Sequence, residues 1–409
     1  MNSKRALVFI FITILLDCMG LGIIIPTLPE LIKSLSGSNT SMAASTAGWL
    51  QVAYALMAFV FAPIQGALSD RFGRRPVLLT ALAGFGLDYL ILFWAPNLTW
   101  LFVGRIIAGI CGASFTTASA YIADVSSSEN RAQNFGLIGA AFGLGFILGP
   151  VLGSVFAQWG LRAPFIAAAV CSLLNFTFGL FVLPESLSVQ HRKKLTWQAC
   201  SPFLVFRYLF SNTKLWPLML IFFLLHIAGQ VMPSTWTFFC IETVHWNAQW
   251  IGYSLGFVGV LISIVQGGLI GVFKRRVGAK ASVFIGLLGY LSGMLLYSFA
   301  RESWMLFVFM LPYAMGGLAI PNLQSLMSGT MPENEQGMLQ GGLTALMSLT
   351  TIVSPLLMTQ SFTWATSNAQ IIYFPGIAFS IGAVFIFTAL LISVKYLKSY
   401  TVSAITESK

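Results

Sequence analysis

Along the chain, apolar residues come in long unbroken runs separated by short polar stretches. The runs ALVFIFITILL (6–16) and GAVFIFTALLI (382–392) are continuous rather than alternating. A helix needs roughly 20 apolar residues to cross a bilayer, and a membrane barrel alternates apolar and polar positions. The pattern therefore predicts membrane helices. Twelve spans are expected, near 6–28, 46–67, 77–95, 99–122, 134–157, 163–183, 216–238, 249–272, 281–300, 303–328, 338–360 and 371–394. The fold class expected is an all-α membrane protein of two pseudo-symmetric six-helix bundles. The even number places both termini on one side.

Composition agrees. Of 409 residues, 57% are hydrophobic and 8% charged, with mean hydropathy +0.84; soluble domains carry about 25% charged residues. The net charge of +10 does not imply nucleic acid, because its distribution follows topology. With the termini cytoplasmic, 18 of the 22 lysines and arginines fall on that side, three (Lys33, Arg162, Arg301) on the other, and Arg105 inside a span. Positive residues favour the cytoplasmic side. The start MNSKRALVFIFITILLDCMG has the basic stub and apolar run of a signal peptide, but no small-residue cleavage site follows closely, and it is taken as an uncleaved first span. The polar, basic stretch 184–215 divides an N-terminal bundle (1–183) from a C-terminal bundle (216–396), with a tail at 397–409. The five cysteines show no paired or metal-type spacing and read as packing residues. There is no phosphate loop, zinc motif or nucleophile elbow, so no cofactor, resident metal or enzymatic chemistry is expected. The sequons at 39–41 and 97–99 lie in outward loops.

One island of charge interrupts the apolar pattern. GALSDRFGRRP (66–76) places Asp70, Arg71, Arg74 and Arg75 between stretches without charge. Arginines hold a short turn on the cytoplasmic side, but the positive-inside tendency does not require Asp70. A weaker copy, GVFKRRVGAK, follows at 271–280, with Gly66 on Gly271, Arg71 on Arg276, Gly73 on Gly278 and Arg75 on Lys280. SSENRAQNFG (127–136) likewise aligns with MPENEQGMLQ (331–340). Duplicated halves suit a transporter that rocks about a midplane site.

Inside the spans only Asp17, Asp88 and Arg105 are firmly charged. Each costs about 2.5–3.5 kcal/mol at a helix centre. Asp17 lies roughly 16 Å from the cytoplasmic end of its span at 1.5 Å per residue. Asp88 and Arg105 flank the turn at Asn97 by nine and eight residues and so share a depth. Two readings stay open: a structural Asp88–Arg105 pair, or a proton-responsive carboxylate set tuned by the cation. A carboxylate in low dielectric keeps its proton more readily, and a nearby cation favours release. The C-terminal half instead supplies His226, Gln230, Gln266, Asn322 and Gln324 as candidate cavity groups. His226 reads equally as a satisfied structural histidine or a ligand.

These motifs carry a family resemblance. GALSDRFGRRP resembles the loop signature between helices two and three of the major facilitator superfamily. LFVGRIIAGICGA (101–113) resembles its helix-four motif, with Arg105 as the buried arginine. GLIGAAFGLGFILGPVLGS (136–154) resembles the helix-five motif of its antiporters, with Gly145, Gly149, Pro150 and Gly153 in place and Ser154 replacing the last glycine. Those glycines also suit plain close packing. More narrowly, LLDCMGLGIIIPTLPEL (15–31), 54–79, 87–106 and GQVMPSTW (229–236) are similar to the tetracycline/proton antiporters.

The resemblance implies a conformational lock: Gly73 shapes the turn, Asp70 faces the start of helix eleven, and Arg74 pairs with Asp124. It also implies proton-coupling and substrate roles for Asp17 and Asp88. Ile262 and Gly289 stand where the tetracycline pumps carry a histidine and an aspartate, which weakens the case for a metal–tetracycline substrate. The expected function is proton-coupled export of amphipathic organic molecules from a bacterial inner membrane, by a chain that suffices as a monomer. The expected partners are that substrate, protons and the lipid bilayer. The rivals are a proton-coupled importer of a siderophore or nutrient, and a non-transporting receptor or scaffold.

Overall fold

Helices begin where the sequence supplies a cap. Asn39 accepts the Met42 amide at 2.9 Å and Asn247 accepts the Trp250 amide at 3.1 Å, each satisfying an orphan donor of the first turn. Gly37, at φ +63°, ends the short helix before Asn39. The computed structural model describes residues 3–112, 114–125, 131–187, 190, 192, 215–328, 336–367 and 373–397, and among them every regular element is helical.

The first half runs α1 (Ser3–Ile24), α2 (Leu28–Ser36), α3 (Thr40–Phe72), α4 (Arg74–Trp94), α5 (Leu98–Cys111), α6 (Ser114–Val125), α7 (Arg131–Phe156) and α8 (Ala163–Val182). The second runs α9 (Trp216–Gly229), α10 (Val231–Val244), α11 (Ala248–Ile264), a π-helical turn at Val265–Leu269, and α12 (Ile270–Ser298). It continues through α13 (Ser303–Val308), α14 (Met310–Ala314), a 3₁₀ turn at Met315–Leu318, α15 (Ala319–Ser328), α16 (Gln336–Thr366) and α17 (Ile377–Leu397).

Ten helical stretches among the described residues are long and apolar enough to cross a membrane, against twelve expected spans. Two stretches account for the difference. In the span expected at 99–122, α5 ends at Cys111 and α6 starts at Ser114, with residue 113 outside the described residues, and α5 taken alone is too short to cross. The spans expected at 249–272 and 281–300 join into one helical stretch, Ala248–Ser298, divided at Gly278, whose φ +84° and ψ 165° are not helical.

The chain folds into two compact units. The first is Met1–Pro202 with Thr237–Gly259; the second is Phe203–Trp236 with Val260–Lys409. In the first, α1 packs on α7 and α4 lies between α5 and α8. Phe9, Ile10, Leu78, Leu82, Tyr121 and Ile122 form its buried core. In the second, α9 and α12 both pack on α17. There the Trp236 ring meets Tyr297 edge-on at 5.2 Å, and the Tyr297 hydroxyl donates to the Leu306 carbonyl. Most of the expected linker and nearly all of the tail lie outside the described residues.

Candidate functional site

The charged island is a turn between α3 and α4 built on Gly73. Its φ of +111° and ψ of 162° lie where L side chains rarely go. A Cβ there would also collide with the Glu185 carboxylate. That carboxylate sits on the N-terminus of α4, accepting the Arg74 amide at 2.8 Å and the Arg75 amide at 3.2 Å. An acid at this helix end satisfies orphan donors and meets the positive end of the dipole. The Arg74 guanidinium lies against three oxygens. Nε donates to Asp124 Oδ2 at 3.1 Å, and Nη1 donates to Ser69 Oγ at 2.9 Å and to Asp70 Oδ1. Ser186 Oγ donates to the same Asp124 oxygen at 2.9 Å, Tyr121 donates to the Pro184 carbonyl at 2.9 Å, and Arg75 Nη2 donates to the Leu180 carbonyl at 2.6 Å.

The island is therefore one network tying α3, α4, α6 and the segment after α8. Asp70 meets Arg74. Its other expected partner, the start of helix eleven, is the start of α16 at Gln336 and belongs to the second unit. Glu185 is the member that the motifs do not reveal. Its only local signal is an acid directly after Pro184 at the end of a span.

Deeper in the same unit, Arg105 Nη2 donates to Asp88 Oδ2. Asp88 is 0% exposed, and its Oδ1 has no hydrogen-bond partner among the described residues. Gly104 makes room for the carboxylate, since a Cβ there would stand 2.7 Å from Oδ1. Asp88 and Arg105 are thus in direct contact, a geometry that both readings of the pair allow. Asp17 is half-buried on α1. The Tyr89 hydroxyl lies over Gly20, within one turn of Asp17, and Tyr54 is within electrostatic reach of both Asp17 and Arg105. Tyr54 and Tyr89 are thus both buried or half-buried neighbours of this charged region, although nothing in their spacing along the sequence singles them out.

The helix-five motif is a contact surface on α7. A Cβ at Gly145 would stand 2.7 Å from the Leu15 carbonyl, one at Gly149 would stand 2.6 Å from the Met19 carbonyl, and one at Gly153 would strike the Ile23 carbonyl. Pro150 lies beside Gly22. On another side of α7, Gly252, Gly256 and Gly259 approach Pro150, Val151 and Ile147, all within the first unit.

The second unit holds the neutral candidates. His226 Nδ1 is 2.8 Å from the Phe222 carbonyl, and the two rings are 4.0 Å apart. Gln230 is the residue at which α9 turns into α10, one turn beyond His226. Gln266 is exposed on the π-helical turn, close to Gly317. Asn322 is 1% exposed and donates to the Leu318 carbonyl of the preceding 3₁₀ turn, whereas Gln324 is half-buried. Ile262 packs into the apolar cluster of Val265, Ala314 and Leu318. Gly289 is filled from outside by Met315 and Pro312, leaving no room for an aspartate.

Ten bilayer-length apolar stretches among the described residues, with a buried ion pair inside the first unit, mark a multi-pass helical membrane protein. Comparison with known proteins narrows this. The Major Facilitator Superfamily model matches residues 10–279. The chain is 40% identical over 383 residues to the tetracycline resistance protein, class C, of Escherichia coli, covering 94% of this chain and 95% of that one. It is 37% identical over 356 residues to the class G protein of Vibrio anguillarum, covering 87% and 89%. A solved D-xylose-proton symporter superposes with a TM-score of 0.76 over 97% of this chain and 98% of that one, at 19% identity, a likeness of fold alone. The chain belongs to the major facilitator superfamily.

Proposed function

We propose that this protein is a proton-coupled antiporter that exports amphipathic organic molecules, tetracyclines among them, by alternating access. What carries the reading is the likeness to tetracycline resistance proteins along nearly the whole chain. It sits in an inner membrane with both termini cytoplasmic, in keeping with the lysine and arginine bias, and it works as a monomer. The roles divide by region. Asp17 and Asp88 carry the proton, with Arg105 beside them. The network of Asp70, Gly73, Arg74 and Asp124, extended here by Glu185, locks one conformation. The glycines and Pro150 of α7 let helices move against each other at close range. His226, Gln230, Gln266, Asn322 and Gln324 contact substrate. A receptor or scaffold has no need of a desolvated acid–base pair inside its spans, and the relatives do not favour an importer.

The test is uptake into inverted vesicles under an imposed proton gradient, with a panel of tetracyclines and unrelated amphipathic drugs. Gradient-dependent accumulation of at least one panel member, abolished by an uncoupler, is expected. Accumulation unaffected by the gradient would contradict the reading. Because Ile262 and Gly289 replace the titratable groups of the tetracycline pumps, accumulation is expected to depend little on divalent cations.

A further inference from the structure

We propose that the groove between the start of α9 and the end of α17 is a binding site for an anionic phospholipid. The groove has a volume of about 450 Å³ and lies wholly within the second unit. Its lining is graded along both helices. On α17, Leu391 and Ile392 lie one turn further into the helix than Lys395 and Tyr396; on α9, Leu220 lies one turn further in than Trp216. Each helix thus presents an aliphatic floor that ends in amphipathic side chains, the same order a leaflet follows from acyl chain to headgroup. Tryptophan and tyrosine favour that boundary, and lysine there meets anionic headgroups. The Lys395 ammonium sits 5.3 Å from the Tyr396 ring centroid and is exposed at the mouth, where a lipid phosphate supplies a counter-charge. Leu391 is 54% exposed and Trp216 is 40% exposed, so the floor is open to a chain arriving from the bilayer. The site belongs to the second unit, whereas the charged network and the buried pair belong to the first, and it does not depend on which substrate is carried.

The experiment uses the purified full chain in detergent, with native mass spectrometry of retained phosphatidylglycerol and phosphatidylcholine. Phosphatidylglycerol is expected to be retained in preference. Lys395→Gln should lower that retention about fivefold, as a loss of roughly 1 kcal/mol per neutralised cation implies. Lys395→Arg should keep it, and Lys274→Gln, at an exposed lysine elsewhere in the unit, should leave it unchanged. A photoreactive residue at position 392 should capture an acyl chain. Equal retention of both lipids, or undiminished phosphatidylglycerol in Lys395→Gln, overturns the proposal. So does phosphatidylglycerol binding that appears only after residues 398–409 are removed, since the tail would then be the occupant.

Discussion

The turns at 66–75 and 271–280 share a backbone and differ in chemistry. Gly73 and Gly278 occupy the same left-handed extended region, at φ +111° and +84° with ψ 162° and 165°. Around Gly73 stand Glu185, Arg74, Asp70 and Asp124, whereas among the described residues nothing approaches the Cβ position of Gly278 within 4 Å. The second copy has Arg275 where the first has Asp70, and Ala279 where the first has Arg74. The interiors show the same contrast. Asp17, Asp88 and Arg105 all lie in the first unit, while the second offers His226 and neutral amides. A duplicated backbone thus carries divided chemistry: the geometry of the turn belongs to glycine, the ion-paired charges are kept on one copy, and the locking and proton handling proposed above would follow those charges.

The contrast can be broken most forcibly at the buried pair. Arg105→Ala leaves the fully buried Asp88 without its counter-charge and should cost about 3–5 kcal/mol of stability. Thermal unfolding in detergent would show it, and the double variant Asp88→Asn/Arg105→Ala should recover much of the loss. Recovery would sharpen the case that the pair is held for function rather than stability.

The two glycines give the next largest effect. Gly278→Ala meets backbone strain alone, about 1–3 kcal/mol. Gly73→Ala adds a collision with Glu185 and should melt at a distinctly lower temperature. Equal losses would mean that Glu185 moves aside at no cost. Removing the acid itself, Glu185→Gln, should cost about 1 kcal/mol through the weakened helix cap. It should slow turnover while equilibrium substrate binding stays nearly intact; a proportional fall in binding would remove Glu185 and its neighbours from the role of lock. The smallest change is expected from Arg275→Asp, within about 0.5 kcal/mol of the parent, because Ala279 offers it no partner.

Much of this was legible in the sequence, and the remainder was hidden for physical reasons. Apolar runs located the spans, since the bilayer sets their length. The interruption at Gln230 and the π-helical turn at Val265–Leu269 were not legible, because irregular turns inside helices leave the composition unchanged. Depth counting brought Asp88 and Arg105 level, but depth does not fix which way a helix faces, so their contact needed three dimensions. Arg74 and Asp124 were matched only through a family motif. Glu185 stands 111 residues from Arg74, outside every quoted motif, and only packing brings its carboxylate to the start of α4.

The most direct test of divided labour separates uphill transport from exchange. Proteoliposomes holding Asp17→Asn, Asp88→Asn, His226→Ala or Gln230→Ala would be assayed for gradient-driven accumulation and for substrate counterflow at equal pH. Both asparagine variants should lose accumulation, at least one while keeping counterflow. The two alanine variants should stay coupled but change the rank order of substrates. Accumulation against a gradient by both asparagine variants would contradict the account and move proton coupling out of the first unit.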